Sequence, residues 1–251
     1  MSDGPTSTDL TKLVHEALNQ PVRGLPALGR KVNHDPRSRA FPAPTTGAHR
    51  PVTHRTYGQV LDQGNVGSCV GNAAAHALNT RPLHVVRTPV LHEEQALQIY
   101  AAATQVDPYP GAYPAEDTGT DANSAAKVLR DRGVISGWAH CFGLEHVLAS
   151  LQLGPVMLGI SWHASMFHPD AKGFVHPDGN VVGGHETLIR GDDGKGSVLV
   201  RNSWSRSWGD RGHYRLTYAD LAALLADQGD ATVLSPDAEP KPFGDGYWGG
   251  I

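Results

Sequence analysis

Apolar and polar positions divide the chain into unequal parts. In residues 1–56 the pattern is sparse. Leu10, Leu13, Val14, Ala17 and Leu18 follow a helical spacing that Ser7 or Thr8 could cap. From Pro21 to Pro51 the chain is rich in Pro, Gly, Arg and Thr without a sustained period, which predicts extended chain on a surface or a linker. Beyond Tyr57 the pattern tightens. CVGNAAAHALNT at 69–80 has the small residues of a helix packed closely on all sides. Residues 91–104 and 121–132 predict two more helices, the second with Asp121 or Asn123 near its start and Gly133 past its end. VDPYPGAYPAEDTGT between them is turn-rich. The second half changes character. GLEHVLASLQLG predicts a helix, whereas PVMLGISW, HETLIRG, SVLVRNSW and GHYRLTY predict strands, with DDGKG as a hairpin turn. Residues 219–226 predict a short helix. The expected division is an extension over 1–56, a helical lobe over 57–135, a strand-rich lobe over 136–234 and a Pro/Gly-rich tail over 235–251. Catalytic residues often lie in the cleft between two such lobes.

Composition narrows the function classes. With 251 residues, 39% of them hydrophobic and 18% charged, the chain can bury a sizeable core and is not of disordered composition. The 21 basic against 25 acidic side chains give a formal charge of -4, which argues against a nucleic-acid or membrane-surface partner. No basic n-region with an apolar h-region opens the chain and no apolar run reaches the roughly 20 residues of a membrane span, so a cytoplasmic protein is expected. Two cysteines, Cys69 and Cys141, are too few for a disulfide scaffold and direct attention to a single functional thiol.

Cys69 stands where the loop Gln63-Gly64-Asn65-Val66-Gly67-Ser68 turns into a helix. The positive end of the peptide dipoles there favours the thiolate and is expected to lower the thiol pKa. Gly183-Gly184-His185 opens a predicted strand, and 17 residues after the histidine Asn202-Ser203-Trp204 ends the next. A hairpin of that length can set an imidazole beside an amide, with the amide holding the ring while its other nitrogen faces a thiolate. His163, His168 and His176 lack the cysteine or paired carboxylates of a zinc site, and no metal or cofactor is expected. Cys141 is expected to be an inert buried thiol.

QGNVGSC, GGH and RNSWSRSWGDRGHYRL, in that order, resemble the three signatures of the papain-like cysteine peptidases, and LGRKVNHDPRSRAF resembles the lead-in of compact bacterial and bacteriophage members. The resemblance runs from about residue 57 to 230. It implies an α+β, papain-like two-lobe fold, a helical lobe packed against a β-barrel-like lobe with the active site in the cleft. Cys69 would be the nucleophile, His185 its general acid–base and Asn202 the residue orienting His185. Gln63 and the Cys69 N–H would serve as oxyanion donors, and Trp204 would shield the Asn202–His185 contact. Gly119, Thr120, Trp162 and Gly184 would touch a polypeptide substrate, with core packing an equal expectation for Trp162. The sequence departs from the family at Val66, Val70 and Gly184, and Glu186 follows the histidine.

The implied activity is endopeptidase hydrolysis through a thioester. The alternatives are a spent component of an assembly such as a phage particle, embracing neighbouring proteins through its arms, and a peptidoglycan cross-link peptidase. The short extension lacks a helical prosegment pattern. An enzyme made active is therefore expected, its arm packed along the back of the fold rather than over the cleft.

Overall fold

A computed structural model describes residues 24–45, 49–85 and 88–236; the helix expected over 10–18 and the tail beyond residue 236 lie outside them. Helix α1 (Cys69–Leu78) is buried along its whole length. Its small side chains let α2 (Glu93–Thr104) cross it closely: a β-carbon on Gly71 would lie 2.2 Å from the Ala96 carbonyl oxygen. Asp121, one of the two expected starts, caps α3 (Ala122–Asp131) by accepting the Ser124 N–H at 3.0 Å. Two further helices, α4 (Leu144–Leu151) and α5 (Tyr218–Ala226), belong to the second half. Among the described residues no helix is long and apolar enough to cross a membrane.

The strands are β1 (Val52–Thr53), β2 (Ile135–His140), β3 (Val156–His163), β4 (Val181–Asp192), β5 (Ser197–Arg201), β6 (His213–Thr217) and β7 (Asp230–Pro236). They form one antiparallel sheet in the order β2-β7-β3-β4-β5-β6, with β1 paired to β4. It is an open sheet, barrel-like without closing. One core lies among α1, α2 and α3 and reaches the sheet at Met157, Leu188 and Leu234. The other joins β3, β4 and β5 to α4 and α5.

Two expectations change. The β2–β7 pair is unanticipated, because ISGWAH has neither a buried alternation nor a turn to its partner; β7 closes over it from the far end of the chain. The arm is not on the back of the fold. Residues 27–31 pass between the lobes, with Arg30 paired to Thr120 as a parallel bridge. A row of glycines (Gly29, Gly67, Gly119, Gly184) makes the close approach possible: a β-carbon on Gly29 would sit 1.8 Å from the Gly67 carbonyl oxygen.

Candidate active site

Each predicted chemical position has an identifiable support. Gln63 is buried in the loop before α1; its N–H bonds to the Ser203 carbonyl at 2.9 Å, and its Oε1 accepts the Ser203 hydroxyl at 2.6 Å. The loop preceding Cys69 is thus stitched to the segment carrying Asn202. Asn202 Oδ1 accepts the Ser203 N–H at 2.8 Å, which fixes the amide's orientation. The same oxygen lies 2.8 Å from His185 Nε2. An amide oxygen can only accept, so His185 carries its proton on Nε2 and keeps the Nδ1 lone pair free; Nδ1 has no hydrogen-bond partner. Trp204 stacks on the imidazole, centroids 4.5 Å apart and planes at 22°.

Trp162 meets the same ring edge-on at 4.9 Å and packs against Phe167, Trp204, Trp208 and Tyr214. It is completely buried, so of its two expectations the structure realises core packing, a buttress behind the histidine. Cys141 is buried, and that burial pushes its thiol up to about 11.

The electrostatics of Cys69 run against the helix-terminus expectation. Burial pushes its thiol up to about 12, although the N–H groups of Glu186, Gly29 and Val70 favour the thiolate. The Glu186 carboxylate opposes ionisation further. Burial likewise lowers His185 to about 4, against the Asn202 hydrogen bond. Both shifts favour the uncharged forms, thiol and imidazole. Part of that burial comes from the arm, since one of the N–H groups on the sulfur belongs to Gly29.

The remaining predicted residues meet the arm directly. Gln63 Nε2 donates to the Ala27 carbonyl at 3.0 Å and to the Val66 carbonyl at 2.9 Å. The Thr120 N–H donates to the Gly29 carbonyl at 2.9 Å, and its carbonyl accepts the Lys31 N–H at 2.8 Å. The Gly184 carbonyl accepts the Arg30 N–H at 3.0 Å. Gly119, at φ +72°, has no room for a β-carbon beside the Gly29 carbonyl.

Sequence reasoning passed over the brace behind these walls. The Tyr100 hydroxyl donates to Asp117 and accepts the Gly119 N–H at 3.0 Å, while Asp117 Oδ2 accepts the Gly67 N–H at 2.9 Å. One tyrosine–carboxylate pair thus ties both glycine loops together. Tyr100→Phe should cost about 1–3 kcal/mol in urea denaturation, because the Gly119 N–H and Asp117 lose a buried partner. An unchanged midpoint would show the brace to be idle.

A helix carrying a cysteine, packed against a sheet that supplies a histidine and an asparagine, defines the papain-like cysteine-peptidase fold. No protein-family model matches the chain. Xylellain, a cysteine protease from Xylella fastidiosa, is similar in structure with TM-score 0.66 and 19% identity, over 87% of this chain and 100% of that one. Procathepsin L 3 of Tenebrio molitor superposes with TM-score 0.54 and 16% identity over 93% and 82% of the two chains. Bromelain from Ananas comosus, in complex with the E64 inhibitor, gives TM-score 0.54 and 14% identity over 72% and 95%. In sequence, 67 residues are 31% identical to cathepsin B-like protease 1 of Arabidopsis thaliana, and 66 residues are 33% identical to cathepsin B-like cysteine proteinase 3 of Ostertagia ostertagi. Each match spans 25% of this chain, but 18% of the first relative's length and 38% of the second's.

Proposed function

We propose that the protein is a cysteine endopeptidase. The observation that carries this reading is Gln63 Nε2 donating to a peptide carbonyl of an extended segment that also lies against the Cys69 sulfur. In the reaction, the Cys69 proton passes to His185 Nδ1 as sulfur attacks the substrate carbonyl carbon. Gln63 Nε2 and the Cys69 N–H hold the oxyanion. His185 then protonates the leaving amine; water attacks the thioester carbon as it gives a proton to the same nitrogen, and the C–S bond breaks to release the acid and the Cys69 sulfur, which takes that proton back. Asn202 keeps the imidazole in the tautomer this needs.

The arm has to leave first. Its Gly29 presents an N–H to the thiol, not a carbonyl carbon, so it covers the nucleophile without offering a bond to attack. The structure gives no support to an arm that leaves the cleft open, and the proposed enzyme is silent until residues 27–31 move.

The test is labelling by an epoxide thiol inhibitor and hydrolysis of a fluorogenic peptide under reducing conditions, with Cys69→Ala as control. Label on Cys69, together with cleavage that the control lacks, is expected. A spent component of a phage particle or other assembly would neither label nor cleave with the arm displaced. A peptidoglycan cross-link peptidase would release peptides from sacculi and spare ordinary peptides.

A further inference from the structure

The arm also inserts a side chain. Arg30 leaves the cleft backbone beside Gly184, and its guanidinium is almost completely buried. Its Nε donates to Asp230 Oδ2 at 3.1 Å, and its Nη2 donates to that same oxygen and to the Gln228 carbonyl at 2.7 Å. The hole it fills follows from sheet register. Gly159 on β3 pairs with Glu186 on β4 and with Asp230 on β7, so three neighbouring strands contribute one row in which the middle residue has no side chain. A β-carbon on Gly159 would lie 2.6 Å from Arg30 Nε, 2.6 Å from Glu186 Oε2 and 2.9 Å from Asp230 Oδ1. The missing side chain is the space, and two carboxylates are its walls.

Those walls are costly without an occupant. Glu186 is completely buried, and neither of its oxygens has a hydrogen-bond partner; Asp230 Oδ1 has none either. Burial and the nearby Asp230 and Asp121 charges disfavour the Glu186 carboxylate, and the Arg30 cation opposes them. A carboxylate pair held in a dry pocket calls for a cation. Arg30 supplies it now and withdraws it when the arm leaves. Asp230 also faces a cavity of about 620 Å³ together with Asp121, His140 and Gly229, so the pocket is not sealed at its far end.

We propose that the pocket formed by Gly159, Glu186 and Asp230 is the specificity pocket of the enzyme, that it selects a basic side chain of the polypeptide substrate, arginine before lysine, and that Arg30 is the tethered stand-in. This rests on the peptidase reading. The pocket opens beside the nucleophile: the residue before Arg30 touches the Cys69 sulfur, and the Glu186 N–H points at the same atom. Arginine is favoured because Asp230 Oδ2 accepts from both Nε and Nη2 of one planar group while the Gln228 carbonyl accepts from Nη2, a fork that an ammonium cannot reproduce.

The experiment uses the full chain carrying Gly29→Val, so that the arm is displaced, and fluorogenic peptides in which each of the three residues on either side of the scissile bond is varied among Arg, Lys, Leu and Phe. At one position Arg should exceed Leu in kcat/KM by roughly 10- to 100-fold, the scale of one or two charge-assisted hydrogen bonds. Glu186→Gln with Asp230→Asn should bring that ratio close to one, the ratio within each variant being read so that any change in Cys69 reactivity common to both peptides cancels. A preference for Leu or Phe at every position, or an Arg preference unmoved by the double substitution, overturns the proposal. Should the double variant misfold, Glu186→Gln alone, nearly identical in shape, carries the test and should cut the ratio several-fold. Cleavage of none of the peptides would instead strike the peptidase reading itself, a distinguishable result.

Discussion

Replacing Gly29 with Val should convert a silent thiol into a reactive one. No side chain fits at residue 29, because a β-carbon there would lie within 1.8 Å of the Gly67 carbonyl oxygen and 2.4 Å of its carbon, and both are backbone atoms. The arm is held by hydrogen bonds from Gln63 Nε2 and Thr120 N–H and to the Gly184 and Thr120 carbonyls, each contributing about 1 kcal/mol. A clash of this size at their centre offsets them together.

The chemical consequence follows from the thiol. At about 12, Cys69 is ionised at neutral pH in roughly one molecule in 10⁵, whereas an ordinary exposed cysteine is ionised in about three in a hundred. Carboxymethylation of Cys69 at about pH 7.5, followed by site-resolved mass spectrometry, should therefore accelerate at least ~100-fold in the variant, with hydrolysis rising in step. The intact chain should keep gaining reactivity with alkali well beyond about pH 9, because its thiol still has most of its ionisation ahead; the variant should level off earlier. Cys141, itself raised to about 11, is the internal control and should not respond. Equal Cys69 rates in the two chains would mean that the arm is not the barrier.

Removing the imidazole should be more damaging than any other single change apart from loss of the thiol. With the arm displaced, His185→Ala should lower kcat by roughly 10⁴- to 10⁶-fold, because nucleophile activation and leaving-group protonation are lost together. KM should change little, since the groups that hold the arm's extended backbone, and by the same proposal the substrate's, are Thr120, Gly184 and Gln63. Asn202→Ala should give a smaller loss: the ring keeps its stack on Trp204 and its edge contact with Trp162, but the fixed tautomer goes. Near-parent kcat in His185→Ala, measured on a chain whose circular dichroism is unchanged, would refute the assigned acid–base role.

The candidate chemical positions were legible because each stands in a short stretch of local sequence. Gln63 and Cys69 share one loop and helix start, and His185 and Asn202 stand on neighbouring segments joined through a tight hairpin. Helices over 93–104 and 122–131 follow from periodicity and from the Asp121 cap. The β2–β7 pair escaped notice because nothing in ISGWAH names a partner nearly a hundred residues away. Glu186 was visible only as the residue after a histidine. Its meaning depends on Gly159 and Asp230, which lie on two other strands and meet it only through register.

The pKa reversal at Cys69 has the same origin. A helix start favours the thiolate through local dipoles, but burial disfavours it, and burial depends on which distant segment lies on top. By itself, then, the sequence determined the identity and order of the chemical groups and the local elements that carry them, since these depend on interactions within a turn or two of chain. Tertiary structure alone decided where the arm lies, that Arg30 plugs a hole between two carboxylates, and that burial favours the uncharged thiol and imidazole. Each of these is a contact between segments far apart in the chain, and desolvation and charge pairing act on distance in space, not on separation in sequence.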